Sequence, residues 1–134
     1  MEGDYNMEKN EVVQTGKRAL STLQEAHKYL RSASNWATFG GLLTMKIKHT
    51  KMDRACECIT RGQAELRTFC QQIGEVNTLG GVEFDPKEFL ELNLHFFDSV
   101  YISEQMCDRI NTVKELVGDT IKQVENILGE LERG

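Results

Sequence analysis

The chain has 134 residues, enough for one domain with its own core, and its 40% hydrophobic and 28% charged residues are those of a folded globular protein rather than a disordered one. The 21 acids outnumber the 16 bases for a net charge of -5, which argues against a duplex nucleic-acid binder, since such binding rests on neutralising phosphates. No apolar run nears the roughly 18 residues that a bilayer span needs, and the opening MEGDYNMEKNEVV lacks the basic start and apolar core of a signal peptide.

Residues 1–8 carry no apolar periodicity and are expected to be frayed or disordered, with residues 9–134 forming a single helical-bundle domain. The first stripe runs through Val12, Gly16, Ala19, Leu23, Ala26, Leu30 and Ala33. Its steps alternate four and three, the spacing of a helix that buries one seam as a coiled coil does. Val13, Leu20 and His27 widen that face. Small residues at four of the seven positions call for a second helix at close range.

Residues 35–51, NWATFGGLLTMKIKHTK, break the pattern. Asn35 can end a helix, and Gly40-Gly41 permits backbone angles closed to other residues. A short elbow helix is expected here, its Trp36 and Phe39 plugging the end of the bundle. The same stretch is the candidate ligand site: Trp36, Lys46, Lys48, His49 and Lys51 could hold an anionic group near the helix start at Thr50. It lacks the GxxxxGK[ST] and GxGxxG patterns of known phosphate loops.

A second stripe follows through Met52, Ala55, Ile59, Gly62, Leu66, Phe69, Ile73 and Val76. Thr50-x-x-Asp53 resembles a capping box and sets the start, and Asn77-Thr78-Leu79-Gly80-Gly81 sets the stop. Gly62 in mid-helix costs about 1 kcal/mol against alanine, a cost that close packing would offset. Asp85-Pro86 then reads as an N-cap followed by proline at the first helical position. From there Phe89, Leu90, Leu94, Phe96, Phe97, Val100 and Tyr101 would cover more than half of a helix surface. Such a helix is either buried centrally or presents a face to a second subunit. The final stripe, Met106, Ile110, Val113, Val117, Thr120, Val124, Ile127 and Leu131, is the most regular. The step from Tyr101 to Met106 is out of phase with it, so a break is expected near Ile102-Ser103.

The expected fold is therefore all-α: an antiparallel bundle of four main long helices, with the Trp/Gly-Gly elbow between the first two. Trp36-x-x-Phe39-Gly-Gly, Lys48-His49-x-Lys51-x-Asp53-x-Ala55 and Phe96-Phe97-Asp98 together resemble a family of small all-helical bacterial proteins without an assigned activity, over roughly residues 13–131. The resemblance implies a helical fold and a bacterial cytoplasmic setting, and carries no catalytic residues over.

Conventional chemistry finds little footing. Cys56, Cys58, Cys70 and Cys107 lack zinc-finger spacing and read as small hydrophobes in a reducing compartment. No HExxH, Glu-x-x-His or GxSxG pattern occurs, so no metal and no cofactor is expected. His95 could pair with a carboxylate, and Asp98 with Glu104 could serve as acid and base. The resulting expectation is a non-enzymatic interaction or scaffold module in the cytoplasm, of no assignable pathway. It would self-associate as a homodimer through Phe89, Phe96, Phe97, Val100 and Tyr101, and bind an unknown protein partner but neither nucleic acid nor membrane. The alternative is a binder of a small anionic ligand, or an enzyme, at the 35–51 elbow.

Overall fold

A computed structural model describes the backbone of residues 2–39, 50–75, 84–98 and 104–133, and within these the side chains of residues 9–35, 52–74, 84–95, 97–98 and 105–133. Helix α1 (Glu2–Phe39) buries Val12, Ala19, Leu23, Ala26, Leu30 and Ala33, the stripe read from the sequence. Helix α2 (Thr50–Glu75) begins at the capping signal, with Asp53 in its first turn, where a carboxylate favours the positive end of the helix dipole. It buries Met52, Ala55, Ile59, Leu66 and Phe69. Helix α4 (Glu104–Arg133) buries its stripe from Met106 to Leu131, including Thr120, whose hydroxyl donates to the Leu116 carbonyl at 2.8 Å. The described residues are all-α, with no strand among them.

Helix α1 is central. Its backbone lies close to both α2 and α4, whereas the backbones of α2 and α4 barely approach each other. Both pairings run in opposite directions along the chain. Against α2, Glu25 meets Arg61 (3.3 Å), Leu23 lies at Gly62, and Gly16 lies at Phe69. Against α4, Ser34 donates to Asn111 (2.6 Å), His27 lies at Gly118, and Lys17 meets Glu132 (3.2 Å). Gly62 permits the close approach that its stripe requires: a Cβ there would come within 3.2 Å of Leu23 and 3.6 Å of Phe89. At Gly16 the space is tighter still, because an added Cβ would sit 2.7 Å from both Leu128 and the Phe69 ring.

The expected long helix over residues 86–101 is replaced, in its described part, by an irregular segment. One turn of helix α3 (Lys87–Leu90) follows Pro86, and Leu92 leads to a 3-10 turn at His95–Phe97. The apolar density that suggested a buried helix is real, since Phe89 and Phe97 are 0% and 1% exposed. Helical hydrogen bonding stops because side chains take over the backbone groups. The Gln63 amide on α2 donates to the carbonyls of both Phe89 and Leu92 at 3.0 Å, and Arg67 donates to that of Leu90 at 3.1 Å. The Asn93 carboxamide accepts from the His95 amide at 2.8 Å, the local turn chemistry that competes with helix. Residues 84–98 thereby pack between α2 and α4, with Phe89 reaching the α1–α2 seam at Gly62 and Phe84 tilted against Phe69 at 5.6 Å between ring centres.

Helix α1 runs from Glu2 and continues past Asn35, the end suggested by the sequence, to Phe39. Asn35 is followed by Trp36, Ala37 and Thr38, none of which gives a steric reason to stop, and the glycine pair comes only at Gly40. The expected elbow helix falls on residues 40–49, outside the described residues. The expected break near Ile102-Ser103 lies outside the described residues; α3 and α4 are separate helices, and α4 opens at Glu104.

Candidate functional site

Helix α2 turns two faces to the protein and leaves a third to solvent. At the border between its segment-facing side and solvent, Asp53, Cys56, Glu57, Thr60, Arg61 and Ala64 form one wall of an open cleft of about 850 Å³. Leu94, Phe97 and Asp98, from the irregular segment, form the other. The cleft continues past Thr60, Leu94 and Asp98 into a smaller hollow bounded by Gln63, Glu91, Asn93 and His95. The fold makes this cleft directly: a regular fourth helix would lie flush along α2, whereas the backbone turned aside by Asn93 leaves space over residues 53–64.

The floor is apolar, with Phe97 fully covered and Leu94 and Cys56 half-buried. The rim is charged and mostly acidic. Arg61 reaches out to Glu25 of α1 at 3.3 Å, and the same guanidinium lies 3.7 Å from the Cys58 sulfur. The His95 ring nitrogen Nδ1 pairs with Asp98 at 3.2 Å, the carboxylate pairing read from the sequence. Both partners are well exposed, at 85% and 77%, so solvent screens the pair.

Thr60 is hydrogen-bonded within its helix, and two of the cysteines hold their protons. Thr60 donates its hydroxyl to the Cys56 carbonyl at 3.0 Å, which leaves it no proton for a base in the cleft. Burial, reinforced by the nearby Asp85 carboxylate, pushes the Cys70 thiol up to about 11. Burial also raises the Cys58 thiol, with the carboxylate of Glu25 adding to the effect. Both stay protonated at neutral pH and act as small hydrophobes, since the thiolate is the nucleophile and the metal ligand. Among the described residues no three of His, Cys, Asp and Glu gather closely enough to hold a metal ion, and no helix is long and apolar enough to cross a membrane.

The residues singled out in the sequence fall into two groups. Lys46, Lys48 and His49 lie outside the described residues. Trp36 and Lys51 lie on the described backbones of α1 and α2, with side chains that are not described. Of the proposed interface, Phe96 has only its backbone described, and Val100 and Tyr101 lie outside. Phe89 and Phe97 are covered within the chain's own core, and Phe97 also lines the cleft along α2. His27 is half-buried on α1 against Gly118 of α4, a boundary position rather than a ligand cluster. Glu57, Thr60 and Arg61 went unnoticed in the sequence, and Leu94 was read there only as part of an apolar helix face. The one available signal was Thr60, a polar residue one step past the apolar Ile59 on the flank that also carries Cys56 and Gln63.

No protein family, no characterised protein and no solved structure matches this chain.

Proposed function

We propose that this chain is a non-enzymatic helical interaction module that pairs with a second copy of itself. The supporting observation is the cleft along α2, open to solvent, with an apolar floor at Leu94 and Phe97 between charged walls. That combination suits a polypeptide segment, which brings apolar side chains and charge together, better than it suits a small polar substrate. The apolar residues Phe96, Val100 and Tyr101 support self-association from the sequence side. In this reading the architecture is an antiparallel bundle in which residues 84–98 take the fourth position and the 35–51 elbow closes the α1–α2 end. Four cysteines without a disulfide fit work in a reducing, cytoplasmic setting, and the family resemblance favours a bacterial one. Light scattering coupled to size exclusion tests the central point: the dimer mass is expected at micromolar concentration. A monomer mass throughout the accessible concentration range contradicts it.

A further inference from the structure

We infer that the groove between α1 and α4 at His27 binds a small oxyanion, the carboxylate or phosphate group of a small molecule. This goes beyond the self-association reading and does not rest on it, since the groove shares no residue with the cleft along α2.

The first support is shape. The groove holds about 500 Å³, a volume suited to a small molecule, and His27, Lys114, Gly118, Ile121 and Lys122 line it. The space beside the imidazole exists because residue 118 is glycine. Gly16 and Gly62 are needed for packing, since an added Cβ would come within 2.7 Å and 3.2 Å of a neighbouring side chain. Gly118 is not needed in that way. Among the described residues a Cβ there would meet only the His27 ring, with Nε2 at an ordinary 3.6 Å. Glycine in the interior of α4 therefore weakens the helix relative to alanine without bringing a neighbour closer, and it keeps Nε2 open to the groove.

The second support is charge. The chain is acidic overall, yet the two charged side chains that act on the His27 ring are both cations, Arg31 on α1 and Lys114 on α4. Among the described residues no hydrogen bond or ion pair engages His27, Arg31, Lys114 or Lys122. The neighbours of this half-buried ring are thus cations without a counter-charge, rather than fellow metal ligands. The carboxylates of the groove, Glu115, Asp119 and Glu125, are exposed on α4, and none of them offsets the two cations at the ring. They favour a ligand of low charge over a polyphosphate.

A bound oxyanion would accept from protonated His27 and from Lys114, with the apolar part of its molecule over Ile121. Hydrogen bonds between charged groups are the strong ones. The anion favours the imidazolium, so binding tightens as the pH falls, and the bound anion raises the His27 pKa from its depressed position.

Nuclear magnetic resonance on the full-length protein tests this with acetate and inorganic phosphate, each against sodium chloride at equal ionic strength. The His27 ring signals are identified by their loss in His27→Asn, and His95 serves as the internal reference. At least one probe is expected to move the His27 titration to higher pH than chloride does while leaving His95 in place, and the probe that acts names the carboxylate or the phosphate. Lys114→Ala is expected to weaken its binding by about tenfold or more, the scale of one lost hydrogen bond between charged groups. Gly118→Ala is expected to raise the melting temperature and yet weaken the same binding, because its methyl group enters the groove beside Nε2. An effect on His27 no larger than that of chloride, or equal at His27 and His95, would overturn the inference. Binding that either Lys114→Ala or Gly118→Ala leaves at wild-type strength would also overturn it. A lower melting temperature in Gly118→Ala would assign the glycine to helix packing and remove the first support.

Discussion

The two surfaces that α2 buries are built in opposite ways. Toward α1, contact is made by side chains at a fixed period, with Gly62 letting the helices close and Leu23 and Ile59 filling the seam. Toward residues 84–98, contact is made by side chains of α2 gripping a backbone, through Gln63 and Arg67 to the carbonyls of Phe89, Leu90 and Leu92. The first surface needs only size and spacing, because a helix satisfies its own amides. The second must supply hydrogen bonds that the segment does not make for itself, since a buried carbonyl without a partner is costly. Both surfaces bury aromatic rings completely, and only one of them is periodic.

That contrast can be sharpened by substitution, and the largest effect is expected from the ring that joins the two surfaces. Phe89 is fully buried and reaches Gly62 in the α1–α2 seam. Phe89→Ala is expected to destabilise by about 3–5 kcal/mol, read as a lower denaturant midpoint. If residues 84–98 are part of the cooperative core, the unfolding transition moves as a whole. A second, earlier transition confined to part of the signal would show that the segment unfolds independently. The next largest effect belongs to the grip itself. Gln63→Ala strips a donor from two carbonyls and is expected to cost about 1–3 kcal/mol. Wild-type stability in that variant would mean that the carbonyls find other partners easily.

A smaller effect concerns the seam between α1 and α4. Burial first, then the neighbouring cations Arg31 and Lys114, hold the His27 imidazole below its ordinary pKa of 6.5. The unfolded chain therefore takes up this proton at a higher pH than the folded one. The contribution of neutral His27 is full above pH 6.5 and is lost as the pH falls through that value toward the lower folded pKa. Chemical denaturation at pH 7.5 and 5.5 should show a steeper loss in the wild type than in His27→Asn. Equal losses would exclude His27 as the source. The smallest effect is expected at Glu25→Gln, which breaks the exposed pair with Arg61; about 0.5 kcal/mol or less is expected from thermal unfolding.

How much of this was legible in the sequence follows from the same contrast. The stripes of α1, α2 and α4 were readable because burial recurs every three or four residues and the capping signal at Thr50 lies in the sequence itself. Residues 86–98 were misread as part of a long helix because they are as rich in leucine and phenylalanine as a buried helix. What undoes the helix is Gln63, some thirty residues earlier, and Asn93, whose side chain competes with the backbone. Neither leaves a periodic trace. The cleft was invisible for the same reason, since it exists only because the segment turns away from α2. His95 and Asp98 were readable as a pair, being three apart and adjoining a turn.

The most direct test of residues 84–98 as an irregular fourth element is nuclear magnetic resonance on the native protein. Nuclear Overhauser contacts are expected from the Phe89 ring to the Gly62 α-protons and to the Thr22 and Leu23 methyl groups, because all three approach the same point beside Gly62. The Cα shifts of residues 91–94 should also lack helical character. Unbroken helical shifts through those residues, with Phe89 in contact only with its chain neighbours, would contradict the account.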